Sequence, residues 1–266
     1  MHTAESTPSA SAALVAPATI SRPYAAYWIL RVGAAACFIG HGAFGFLTKA
    51  AWVKYFAVAG IPEIWAWRLM PLVGAVDVLV GMAVLFAPRG LPLLYMTVWA
   101  TWTALLRPLA GESVFEALER AGNCGVPLAL ILLTGMPRWV NPRDPPLPDD
   151  RRQPTVRHVL KWTTCVLLLG HGALGLIEKP MLANHYATIG LPAETTIIVG
   201  SFEIAVAIAV AVRPMAGVLI LVAAWKVVTE SLFIVAGAPI WEFVERAGSY
   251  AAPLALAALL AERHKT

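Results

Sequence analysis

Residues 39–62 read IGHGAFGFLTKAAWVKYFAVAGIP, and residues 169–192 read LGHGALGLIEKPMLANHYATIGLP. At an offset of 130, nine of the 24 positions are identical. A second block follows the same rule. Residues 116–130 (EALERAGNCGVPLAL) and 242–256 (EFVERAGSYAAPLAL) agree at nine of 15 positions, at an offset of 126. Between the blocks Gly74, Asp77, Trp99 and Thr103 match Gly200, Glu203, Trp225 and Thr229. The chain is therefore two copies of one unit, and the fold follows from what that unit is.

Each copy carries four apolar segments. They lie near 25–47, 65–87, 91–107 and 122–136, then near 157–177, 195–212, 215–235 and 249–262. Hydrophobic residues make up 59% of the 266 and charged residues 14%, an excess that one water-soluble core of this size cannot bury. The expectation is an all-α, polytopic membrane protein of about eight transmembrane helices, arranged as two parallel four-helix repeats. Four spans per copy bring the second copy in from the same side as the first, so the pseudo-two-fold axis should run along the membrane normal. No span carries a clear mid-span proline break.

Residues 1–22 are rich in Ala, Ser, Thr and Pro. They are expected to form a disordered tail, and they lack the basic start and apolar run of a signal peptide. Residues 23–137 form the first repeat, the Pro-rich and charged 138–156 a cytoplasmic linker, and 157–266 the second repeat. Tyr24, Tyr27, Trp28, Trp65 and Trp67 suit the aromatic belts of a bilayer. Twelve of the 20 Lys and Arg fall on the side holding the linker and both termini. The positive-inside rule then places both termini in the cytoplasm of a multi-pass cell (inner or plasma) membrane protein. The net charge of +4 sits in short loops. The lipid bilayer is thus the expected partner, and nucleic acid is not. Cys37, Cys124 and Cys165 have no C-x-x-C spacing and read as small apolar residues, not metal ligands.

The chemistry-bearing residues recur with the repeat. His41 and His171 sit in Gly-His-Gly-Ala-x-x-Gly, where Gly45 and Gly175 leave a notch one turn beyond each imidazole. Small residues at that spacing also serve close helix packing, with the histidine bonded across the interface. Asp77 and Glu203 fall near the middle of their spans, where a carboxylate needs a partner, water or a ligand. These four are the candidate catalytic groups. Glu116, Glu119, Arg120 and Asn123, matched by Glu242, Glu245, Arg246 and Ser249, precede the last span of each copy and are candidate ligand-binding residues. Glu116 with Arg120, and Glu242 with Arg246, are spaced to bridge on one helix face. The plain alternative is a solvated surface pair of little energetic worth. Lys49 and Lys179 complete the candidate ligand-binding set, against the alternative that they snorkel to the headgroups. Lys226 and Glu230 are four apart where the first copy has Ala100 and Ala104, so a pairing there would mean that the halves have diverged. By topology each repeat should line a hollow open to the non-cytoplasmic face, the two being either separate or merged on the axis.

The unit, with Leu30-Arg31-Val32-Gly33 in its first helix, a small-residue stretch ending in Lys49, and an amphipathic joint before Gly60-x-Pro62, resembles the DoxX-like integral membrane family in tandem duplication. Arg31 becomes Lys161 in the second half. The resemblance implies four-helix bundles and a redox-associated role beside a membrane or periplasmic redox partner. The leading functional expectation is a protein binding a quinone-like or other small ligand, with histidine and carboxyl groups meeting its carbonyls. The alternatives are a non-catalytic subunit docking a partner enzyme, a small-solute or proton transporter, and a haem or metal protein with His41 and His171 as symmetric ligands. No nucleotide-binding glycine loop, nucleophile elbow or zinc-protease motif is present.

Overall fold

The structure is a computed structural model that describes residues 22–135 and 148–261. The expected tail, apart from Arg22, lies outside the described residues, as do the first part of the linker and Arg263 and Lys265. Among the described residues every regular element is helical. In the first half α1 (Arg22–Phe46) is followed by a 3-10 turn (Ala50–Trp52), α2 (Val53–Val58), α3 (Glu63–Phe86), α4 (Gly90–Leu109), α5 (Phe115–Leu118) and α6 (Ala121–Thr134). In the second half α7 (Gln153–Leu176) is followed by α8 (Pro180–Thr188), α9 (Thr195–Val212), α10 (Ala216–Val235), α11 (Ile240–Glu245) and α12 (Ala247–Leu260). α7 begins four residues before its expected start at 157, because Pro154 in its first turn costs the helix no hydrogen bond.

Five helices, α1, α3, α7, α9 and α10, are long and apolar enough to cross a membrane. α6 and α12 have 14 residues each, about 21 Å at 1.5 Å per residue and short of a hydrocarbon core of about 30 Å. α4 ends in Arg107 and Pro108. Helices continue through Pro71, Pro127 and Pro253. The last two occupy matching positions, and each frees the carbonyl four residues earlier, on Asn123 and Ser249.

Burial sorts the helices into a centre and a rim. The apolar windows of α1 and α7 are each 61% buried, against 28% for α3 and α9. The rim presents large bare side chains such as Leu79, Phe86, Ile198, Val212 and Leu221. Apolar surface on that scale needs a partner other than water. At the centre Leu30, Leu130, Leu160 and Leu256 belong to one buried cluster.

The central packing crosses between the halves. α1 packs on α3, α12 and α6, while α7 packs on α9, α6 and α12. Each half's first helix therefore lies against the other half's last. Bare backbone makes these crossings possible. A Cβ on Gly122 would strike the main chain of Gly248, and one on Gly248 would strike Gly122. Gly33 against Ala251 and Gly125 against Thr163 repeat the arrangement.

Candidate functional site

The site is assembled where α1 meets α3. Gly42 and Gly45 press against the main chain of Gly74, so the Gly-His-Gly-Ala-x-x-Gly run is first a packing surface. The notch expected beside Gly45 is filled by α3, and that beside Gly175 by the backbone of Gly200, which is the close helix packing given as the alternative reading of the motif. Close packing nonetheless sets up the chemistry. It brings His41 on α1 beside Asp77 on α3, with the imidazole Nδ1–H donating to Asp77 Oδ2 at 2.7 Å. Asp77 is fully buried. Two longer contacts of 3.4 Å reach it, from the Trp99 indole and the Tyr95 hydroxyl. With Nδ1 committed to Asp77, Nε2 is the ring nitrogen left for other chemistry.

His41 opens onto a cavity of about 270 Å³. Its walls are apolar and aromatic: Trp52, Tyr55 and Phe56 from the joint after α1, and Trp99 and Trp102 from α4. Trp52 stacks on the imidazole with centroids 4.5 Å apart. Its polar lining comes from Arg107, Arg120, Asn123 and Glu245. An apolar pocket with a few convergent polar groups is the usual form of a small-molecule site. Arg107 donates to the Tyr55 hydroxyl at 2.8 Å, and Tyr55 donates to Glu112 at 2.5 Å. Lys54 approaches the same carboxylate at 2.6 Å. Burial pushes the Glu112 carboxyl up, but the Lys54 and Tyr55 hydrogen bonds and the Arg107 charge outweigh it and hold the group below the usual range. Burial and the Glu112 carboxylate push the Tyr55 phenol above its ordinary value, against the pull of Arg107.

The matching place in the second half is closed. Its hollow, of about 30 Å³, takes in His171, His185, Tyr186, Thr229 and Phe233. These correspond to His41, Tyr55, Phe56, Thr103 and Arg107. Where Ala100 leaves the first cavity open, Lys226 fills the second. The Lys226 ammonium, 1% exposed, lies 3.3 Å from Glu203 and 3.2 Å from Glu230. The pairing expected of these two is thus present. Glu203 accepts from Trp225 at 3.0 Å and from Lys226, and it does not take up His171. His171 instead has Glu119 at 3.7 Å from Nδ1 and Glu230 at 3.3 Å from Nε2. Neither contact has hydrogen-bond geometry, and His171 Nε2 and Glu230 Oε1 are left without a hydrogen-bond partner. The symmetry of the sequence therefore stops at the dyad: His41–Asp77 has no His171–Glu203 counterpart.

The remaining candidates bind the halves together. Glu119 from the first half lines the second hollow, and Glu245 from the second lines the first cavity. Neither hollow belongs to one repeat, which corrects the expectation that each repeat lines its own. A Cβ on Gly40 would strike the backbone of Glu245, and one on Gly170 the backbone of Glu119. Lys49 pairs with Glu242 and Lys179 with Glu116, the latter at 2.5 Å. Snorkelling is thus corrected for both lysines, which answer an acid on the other repeat. One local feature aims them. Thr48 and Glu178, at the matching position just before each lysine, hold φ of 48° and 52°, a left-handed backbone uncommon for such residues. Glu116–Arg120 and Glu242–Arg246 do bridge, at 3.3 and 2.6 Å, but they are buried or half-buried and not solvated. Arg120 also meets Glu119. Glu119, Arg120, Asn123, His171, Glu245, Arg246 and Ser249 enclose a third hollow of about 10 Å³ between the other two, about the room of one water.

Trp52, Tyr55, Phe56, Trp102 and Arg107 were not singled out from the sequence. The available signal was the aromatic face of Trp52, Tyr55 and Phe56 at helical spacing. Among the described residues no cluster of three or more His, Cys, Asp or Glu is placed to hold a metal ion. His41 and His171 line different hollows and have carboxylates on their ring nitrogens, a donor set that does not fit a shared haem. No family model, no curated protein and no solved structure matches the chain.

Proposed function

We propose that this chain is a multi-pass protein of the cell's inner or plasma membrane, with eight spans in two parallel four-helix repeats and both termini cytoplasmic. It binds a quinone-like small molecule in the first cavity, built mainly by the first repeat and opening to the non-cytoplasmic side. The observation that carries this reading is the Asp77-held imidazole of His41 at the edge of a 270 Å³ aromatic cavity. A flat ring system gains from stacking against Trp52, Trp99 and Trp102. Its carbonyl oxygen needs a donor, which His41 Nε2 supplies when the ring is protonated and Asp77 balances the charge. The same nitrogen exchanges a proton with that oxygen, while Asp77 keeps the imidazole oriented. Electrons come from a membrane or periplasmic redox partner, in keeping with the DoxX-like resemblance of the helical unit. The lysine–glutamate filling of the second hollow supports binding in the first cavity alone.

The test is a titration of the purified protein in detergent with menadione, which quenches nearby tryptophan. Saturable quenching, weakened about tenfold or more in His41→Ala while the melting temperature is kept, supports the proposal. Linear quenching that is the same in wild type and His41→Ala overturns it.

A further inference from the structure

The second hollow shows what its twin is built to accept. Its lining shares many positions with the first cavity, among them His171 for His41, Tyr186 for Phe56 and Thr229 for Thr103, and two side chains of the protein enter it: Lys226 where the first repeat has Ala100, and Glu230 where it has Ala104. The Glu230 carboxylate is seated against Arg246 and Lys226, with the His171 imidazole beside it. Arg246 Nε donates to Glu230 Oε2 at 2.9 Å, and His171 Nε2 stands 3.3 Å from Oε1. The equivalents of Arg246 and His171 are Arg120 and His41, and both line the open cavity, while Lys226 is replaced there by Ala100. Arg120 spends Nη1 on Glu116 and Glu119, much as Arg246 spends Nη1 on Glu242. The Arg120 Nε, whose twin holds Glu230, has no partner among the described residues.

We propose that the ligand of the first cavity carries an anionic oxygen group, of carboxylate or acidic-hydroxyl type, which takes the place of the Glu230 carboxylate between Arg120 and His41. This deepens the proposed function and rests on it for the location of the site. The physical case has three parts. First, Arg107 and Arg120 both line this cavity, and Asp77, which accepts from His41 Nδ1, is placed to balance a charge on the imidazole. Second, a buried guanidinium nitrogen without an acceptor is unfavourable, as Arg107 Nε is on the wall of this cavity, and an anion nearby favours it. Third, the rest of the cavity is aromatic and suits the ligand's apolar body. The ligand class is therefore an amphiphilic acid, whether an acidic hydroxyquinone or a ring-bearing carboxylate.

Isothermal titration of the purified full chain with three probes separates these sources. Menadione is a neutral quinone, lawsone is a hydroxyquinone ionised at neutral pH, and hydrocinnamate is a carboxylate that is not a quinone. Lawsone binding about tenfold or more tighter than menadione is expected, since a hydrogen bond to a charged group contributes about 1.5–3 kcal/mol. Menadione and lawsone binding equally would overturn the inference and leave the quinone reading standing. Hydrocinnamate binding where neither quinone binds would do the reverse. Binding by none of the three overturns both. Arg120→Gln tests the anion seat but also disturbs Glu116 and Glu119. The second variant is therefore the transplant Ala100→Lys/Ala104→Glu, a pair that the twin site accommodates. With its melting temperature kept, the transplant is expected to lose the acidic probes by more than about tenfold, and unchanged affinity in it would overturn the inference.

Discussion

Replacing Lys226 by methionine tests whether the second hollow is held by charge. The chain keeps its volume, so the change is electrostatic. In the native protein the ammonium lies 3.3 Å from Glu203 and 3.2 Å from Glu230 and is almost fully buried. At an effective dielectric of about 20, each contact is an attraction of roughly 5 kcal/mol, much of it offset by the desolvation of the three groups. Removing the lysine leaves the desolvation of both carboxylates and deletes the attraction, which is the situation that costs about 3–5 kcal/mol. Glu230 retains Arg246 at 2.9 Å, whereas Glu203 retains only the Trp225 indole. The loss should fall near the middle of that range. Adding Glu230→Gln to Lys226→Met removes one of the two stranded charges. The second substitution should then recover about 1 kcal/mol or more, although alone it destabilises the wild type. The measurement is unfolding of the four proteins in a common detergent, followed by tryptophan fluorescence against denaturant. A cost below about 1 kcal/mol for Lys226→Met, or a double variant as poor as the sum of the singles, would refute the idea that these groups form one charge-balanced unit.

Gly40→Ala and Gly170→Ala should each destabilise the protein by about 1–3 kcal/mol or more, because the new methyl meets the backbone of the other half and backbone cannot move aside cheaply; melts indistinguishable from wild type would count against the cross-repeat packing. Glu112 gives a pH dependence. Its carboxyl is held below the usual range in the folded state, so its contribution is fully present above the ordinary carboxylate value of about 4.3 and is lost as pH falls through the lower folded value. The stability difference between wild type and Glu112→Gln should therefore shrink as the pH drops below about 4. A difference constant across that window would show that the Lys54, Tyr55 and Arg107 contacts do not act through the charge.

The positions of the helices were legible because each rests on local information: apolar runs, and a repeat that marks the same punctuation twice. His41, Asp77 and Glu203 were legible for a related reason, since polar groups in apolar spans need a compensating partner. What escaped was which half supplies that partner. The spacing of Glu116 and Arg120 announces an i, i+4 pair, but nothing within ten residues of Lys179 reports that Glu116 lies beside it. A lysine at the end of a span has the same local signature whether it answers a headgroup or a distant acid. The aromatic wall escaped because Trp52, Tyr55 and Phe56 line a hollow only when α2 folds back towards α4. The closing of the second hollow was half visible. The sequence shows Lys226 and Glu230 against Ala100 and Ala104, while their seat between Glu203 and Arg246 depends on the packing of α9 and α11 about α10.

The exchange between halves explains why one hollow closes with charges and not with leucine. A hydrophobic plug of the same volume would stabilise a buried site as well as an ion pair does, or better. It would, however, strand groups that the architecture retains for other reasons. Arg246 is needed to hold Glu242, which in turn receives Lys49 from the first half. Glu119 faces His171 while also bonding Arg120 beside the open cavity. With these charges fixed by the crossing of the repeats, the second hollow needs a balanced filling, and Lys226 with Glu230 supplies one cation and one anion. The first cavity lacks that filling and has Arg107 where the second has Phe233. Arg107, whose Nε has no acceptor, and Arg120 both line it beside His41, and an incoming anionic group gains most there.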